Sequence, residues 1–131
     1  MSIKVDWKCQ GEFSITTVNG FKLHADAESK KAPCPTEILL AALGSCSATD
    51  VVYALKEQEV EIRRFCNEVT FQLTDSSPRL YKSVNLHFIV EAAGVTKEQI
   101  LQAAKDAVNK YCHVCLMLQP NIHITYTCDV I

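Results

Sequence analysis

The sequence predicts an α+β fold in the order βββ-α-ββ-α-β, with sheet packed against helices, and three observations predict it. Period-two alternation of apolar and polar residues runs through the first third of the chain. Helix formers then run from residue 36 to about 58, apolar on almost every side. A capping-box signature at Thr96 and Gln99 opens a second, amphipathic helix that Pro120 brings to an end.

Ile3, Val5, Trp7 and Cys9 alternate with Lys4, Asp6, Lys8 and Gln10, which is strand periodicity, and Gly11 punctuates it. Phe13, Ile15 and Thr17 share one face of a second strand. "NG" at 19 and 20 favours a tight hairpin turn, and Phe21, Leu23 and Ala25 resume the alternation in a third. Pro33 and Pro35 close the loop that precedes the long helix. A helix apolar all round is expected at the centre of the molecule. Phe65, Val69, Phe71 and Leu73 then mark a strand, the polar run from Asp75 through Pro78 to Arg79 a turn, and Leu80, Lys82, Val84, Leu86, Phe88 and Val90 the even positions of its partner. In the second helix, Ile100, Ala103, Ala104, Ala107, Val108 and Tyr111 fall on one face. "YCHVCLML" extends or restarts that helix, and Ile122, Ile124, Tyr126, Cys128 and Val130 give a last strand.

At 131 residues the chain is expected to form a single domain, 1–131, with a core that needs no disulfide staples. Its net charge of −2 and lack of any block of five like charges argue against nucleic acid or an anionic membrane as partner. The first residues show no cationic and apolar leader, and the longest uncharged apolar stretch, 38–49, has 12 residues. A cytoplasmic protein acting on small molecules is the expectation. Seven cysteines, at 9, 34, 46, 66, 112, 115 and 128, are an odd number for a disulfide framework. Some are therefore catalytic, metal-binding or packed.

Cys46 interrupts the apolar helix between Gly44, Ser45, Ser47 and Thr49. Packing as a small hydrophobe accounts for it on composition alone. Small neighbours that admit a ligand, and hydroxyls that could donate to a thiolate, point to reactivity. Asp50, one turn on, opposes ionisation unless it faces elsewhere. Cys112 and Cys115 form a C-x-x-C without the preceding strand of a thioredoxin motif. With His113 they make at most three local zinc ligands where a structural site takes four. A helix restarting after Tyr111 would put Cys112 at its N-terminus, where the thiol pKa falls. Packing explains Cys9 and Cys128, Cys66 and Cys34 read as surface thiols, and His24, His87 and His123 read as solvated.

"APCPTEILLAALGSC", followed after a hairpin and a helix by "AVNKYCHVCLML", resembles the OsmC/Ohr family of thiol-dependent hydroperoxide reductases. The resemblance covers nearly the whole chain, since the order of elements fits as well. It implies an intertwined homodimer with sheet wrapped around two long central helices and active sites at the subunit interface. It further implies that Cys46 attacks an organic hydroperoxide as a thiolate and becomes a sulfenic acid. Cys112 then condenses with it to a disulfide, which a dithiol such as a lipoyl group reduces. Neither a metal nor another cofactor is implied.

Four departures stand out. The family's N-terminal arginine has no counterpart, since Arg63, Arg64 and Arg79 all follow the first helix. Thr36 stands where the arginine-orienting acid usually sits, with Glu37 one residue later. His113 replaces a frequent proline, and Cys115 is an additional thiol. Glu37 and Arg79 are the supporting residues this reading selects, with Lys110 a second candidate cation. Two alternatives remain beside the peroxidase: a non-catalytic protein holding a small apolar or thiol-reactive ligand near Gly44, and a redox or metal site on Cys112, His113 and Cys115.

Overall fold

The computed structural model describes residues 1–131, which form two compact units, 1–41 and 42–131. Strands and helices follow the order read from the sequence. The strands form two three-stranded sheets rather than one, because the first three share no ladder with the last three.

In the first unit, β1 (Lys4–Cys9), β2 (Glu12–Thr16) and β3 (Lys22–Asp26) make an antiparallel meander. Val5 pairs with Ile15 and Ile15 with Leu23, while Trp7 pairs with Phe13 and Phe13 with Ala25, so apolar side chains share one face. That face is open: Trp7 is 67% and Val5 60% exposed. The β2–β3 connection is longer than a two-residue turn. Thr17 N–H donates to Phe21 carbonyl at 2.8 Å and Gly20 takes φ +87°, a conformation that glycine adopts without steric cost. After β3, the buried Asp26 carboxylate accepts the backbone N–H groups of Glu28, Lys30 and Lys31 at 2.9, 3.1 and 3.0 Å. These bonds, that from Glu28 foremost, hold its pKa below the ordinary carboxylate value. They fix the loop that leads to α1 (Pro35–Glu57), where Pro35 supplies a preorganised first residue.

In the second unit, β4 (Ile62–Leu73) pairs antiparallel with β5 (Tyr81–Ala92), and β6 (His123–Val130) pairs parallel with β5. A parallel pair needs a crossover, supplied here by α2 (Lys97–Asp106) and α3 (His113–Leu118). Val84, Leu86, Phe88 and Val90 are buried, as the even positions of β5 require. On the opposite face a polar ladder crosses from β5 to β6. His87, read as solvated, lies in it, with Nδ1 2.6 Å from Thr127 Oγ1 and Nε2 3.0 Å from Asp129 Oδ2.

By length and composition α1 could cross a membrane. Leu43, Ser47, Val51 and Leu55 instead bury one face of it, whereas Thr49 and Tyr53 are exposed. Burial on one side only is less than an all-apolar helix suggests. The contact with β4 is close at Gly44, where an added Cβ would sit 2.8 Å from Val69 Cγ2. Asn67 Nδ2 fastens the same point, donating to Gly44 carbonyl at 2.9 Å and Ser47 Oγ at 3.2 Å. Gly44→Ala is expected to lower stability by up to about 2 kcal/mol, because overpacking costs ~1–3 kcal/mol and the gain in helix propensity returns about 1. Urea denaturation checks this; a stabilised variant would show that the contact is not tight.

Thr96 and Gln99 form the expected reciprocal capping box at the start of α2. Ile100, Ala103, Ala104, Ala107 and Val108 are buried as the helical spacing requires, but Tyr111 is 60% exposed. The cause is a π-turn over Ala107–Tyr111, closed by Cys112 N–H donating to Ala107 carbonyl at 2.7 Å. A π-turn takes in one extra residue. The phase of the inward face slips by one, Tyr111 swings out, and Cys112 becomes fully buried in its place.

Candidate active site

α1 carries Cys46 past the Gly44 contact, on the border between its buried and exposed faces. The π-turn delivers Cys112 from the other side of the sequence. Cys46 Sγ, Cys112 Sγ and a carboxylate oxygen of Asp50 all lie within 4.8 Å of one another. Residues far apart in the chain thus meet because of one close helix–strand contact and one helical irregularity. A disulfide brings its two sulfurs to about 2.05 Å, and rotation about χ1 is the motion that moves each sulfur toward the other.

Cys112 sits at the restart of the helix, as expected, with φ −73° and ψ 109°, and its sulfur accepts Cys115 N–H at 3.4 Å. The expected lowering of its pKa is not what results. Burial pushes the Cys112 thiol up, the neighbouring Cys46 adds to this, and the Cys115 N–H only partly counters them. Cys115, fully buried, is pushed well above the ordinary thiol value, again by burial first. Burial also raises the Asp50 carboxyl, and the His113 imidazole opposes the rise. Asp50 has no hydrogen bond or ion pair within the chain. The sequence showed it as an acid one turn from Cys46, without the thiol pair that it faces.

The OsmC-like protein family model matches residues 27–127. The chain belongs to the OsmC-like family. Protein YhfA of Escherichia coli (strain K12) is 33% identical over 132 residues, an alignment covering 100% of this chain and 98% of YhfA. Among solved structures, the OsmC-like protein of Mycoplasma pneumoniae superposes with a TM-score of 0.83 at 15% identity, over 99% of this chain and 96% of that one. The organic hydroperoxide resistance protein OhrB of Bacillus subtilis does so with 0.67 at 18%, over 98% of each chain. These likenesses show that the α+β arrangement is the OsmC-like fold.

Within that OsmC-like fold, the two supporting residues are engaged in other contacts. Arg79 Nε donates to Thr74 carbonyl at 3.1 Å within the β4–β5 turn. Glu37 Oε1 accepts the Cys34 thiol at 3.4 Å. Lys110, the second candidate cation, pairs with Asp106 at 3.6 Å. The trio of possible metal donors is Cys46, Asp50 and Cys112 rather than Cys112, His113 and Cys115, and it falls one short of a closed structural zinc shell.

Two surface thiols differ in a way the sequence could not show. The Cys34 thiol is held below the ordinary value, first by the Thr36 hydroxyl at 3.2 Å and then by the Glu37 N–H. Cys9, expected to pack, is exposed; its bond to the Glu12 carboxylate at 3.0 Å raises it. Iodoacetamide at pH 8 is therefore expected to label Cys34 ahead of Cys9, since the thiolate is the nucleophile. Peptide mapping by mass spectrometry reads the order, and faster labelling of Cys9 would contradict it.

Proposed function

We propose that this protein is a thiol-dependent peroxidase that reduces organic hydroperoxides, with Cys46 as the peroxidatic and Cys112 as the resolving thiol. The observation that carries this reading is the approach of the two sulfurs to within 4.8 Å in the fold of a family with hydroperoxide resistance proteins among its structural neighbours. Cys46 is half-buried and reachable, whereas Cys112 is fully buried behind it. That difference supports Cys46 as the thiol that attacks first.

In the first step the Cys46 thiolate attacks the terminal peroxide oxygen. A sulfur–oxygen bond forms, the oxygen–oxygen bond breaks, and an alcohol leaves while the sulfur is oxidised to sulfenic acid. Cys112 then attacks that sulfur and water leaves, which closes the disulfide and protects Cys46 from further oxidation. A dithiol of lipoyl type, available in the reducing cytoplasm, returns the pair to thiols by exchange. Both electrons come from sulfur, so the cycle draws on no bound cofactor.

A second copy of the chain completes the picture. Val5, Trp7 and Leu23 on one face of the first sheet, and Tyr53 of α1, are large apolar side chains left exposed in the single chain, the kind of surface that marks an interface. A homodimer covers such surface, in keeping with the resemblance. Reduced protein supplied with dihydrolipoamide should consume cumene hydroperoxide catalytically. Consumption no faster than dihydrolipoamide alone would overturn the reading.

A further inference from the structure

We propose that Asp50 is the proton carrier of the thiol pair, accepting the Cys46 thiol proton and returning it to the departing alkoxide; this rests on the peroxidase reading above. Asp50 follows Cys46 by one helical turn, so both side chains leave the same face of α1. Its carboxylate lies within 4.8 Å of both sulfurs. Asp50 is half-buried and no group in the chain donates a hydrogen bond to it, so burial favours its protonated form more than water does.

The groups that face Asp50 are few. On its own helix there is Cys46, and from the segment packed against it come Cys112, Cys115 and the His113 ring. His113 is the only one of these that becomes a cation. Arg64, Arg79 and Lys110 are bound to Glu91, Thr74 and Asp106. Within one chain the site thus holds an acid beside both sulfurs, where proton transfer is needed, with the His113 ring as its basic neighbour. Burial makes that carboxylate a better acceptor of a thiol proton than a solvated one.

Protons and electrons balance over the cycle. Asp50 carboxylate takes the Cys46 proton, leaving a thiolate and a carboxylic acid. The thiolate attacks the terminal peroxide oxygen, which keeps its own hydrogen as the sulfenic hydroxyl; two electrons pass from sulfur to the peroxide, and the alkoxide released takes the Asp50 proton to become an alcohol. Asp50, again a carboxylate, accepts the Cys112 proton as that sulfur attacks. It then gives the proton to the hydroxide leaving Cys46, which departs as water.

The test compares two oxidants on one variant. tert-Butyl hydroperoxide releases a strongly basic alkoxide, whereas meta-chloroperbenzoic acid releases a carboxylate that needs no proton. Asp50→Asn should lower kcat/KM for tert-butyl hydroperoxide about 100-fold, in the range of lost acid–base catalysis, and lower that for the peracid at least about 10-fold less. Asp50→Glu should restore part of the loss. Equal losses with both oxidants, or none, would overturn the role of Asp50 while leaving an active peroxidase. A wild type inactive with both would overturn the peroxidase reading itself. Because the ratio is read within a single variant, partial unfolding of Asp50→Asn scales both rates and does not imitate the result.

Discussion

Cys46→Ser is expected to reduce dithiol-dependent hydroperoxide consumption to the rate of the dithiol alone. A serine hydroxyl in this position offers no thiolate-like nucleophile, and oxygen cannot take up the sulfenic oxidation state. The other six cysteines are not expected to substitute. Cys112 and Cys115 are fully buried, and Cys9, Cys34, Cys66 and Cys128 lie outside the cluster of Cys46, Asp50 and Cys112. Cys46 is only half-buried, so the exchange should cost about 1 kcal/mol or less in stability. A folded variant without turnover separates chemistry from structure. Retained turnover would move the nucleophile to another thiol, and Cys34, with its lowered pKa, would be the first to examine.

Cys112→Ser should divide the cycle instead of abolishing it. The first equivalent of cumene hydroperoxide is still reduced, because Cys46 keeps its approach to solvent and to Asp50. The sulfenic acid then persists, since the sulfur that should condense with it is gone, and steady-state turnover collapses. Dimedone labelling at Cys46 reads this directly. Cys115 is the one thiol near enough to compete, and burial pushes it well above the ordinary thiol value. Loss of the thiol also exchanges a weakly polar group for a hydroxyl at a position with no exposure, which costs about 1–3 kcal/mol if the hydroxyl stays unsatisfied. Cys112→Ala avoids that penalty and should show the same trapped sulfenic acid. Full turnover in either variant would transfer the resolving role to Cys115.

Much of this was legible in the sequence. Alternation at Val84, Leu86, Phe88 and Val90, and the capping box at Thr96 and Gln99, express local periodicity and local hydrogen bonding, and both survive in the folded chain. The two cysteines were selected through the resemblance of their flanking segments. What could not be read depends on packing. The π-turn over Ala107–Tyr111 substitutes Cys112 for Tyr111 on the inward face, and no helical wheel drawn at constant pitch anticipates a slip of one residue. Burial outweighs the N-terminal position of Cys112, which a spacing argument weighs in the opposite sense. Asp50 looked adverse to a thiolate when seen only along α1. The partner thiol brought in from residue 112 makes it a neighbour of two sulfurs.

The central claim is that Cys46 and Cys112 form one redox pair, and mass spectrometry of non-reduced peptides after one equivalent of cumene hydroperoxide tests it most directly. A Cys46–Cys112 disulfide within one chain is the expected product, formed in proportion to the peroxide added. An unmodified Cys46 beside a Cys112–Cys115 bridge, or oxidation confined to Cys9, Cys34 or Cys66, would contradict it.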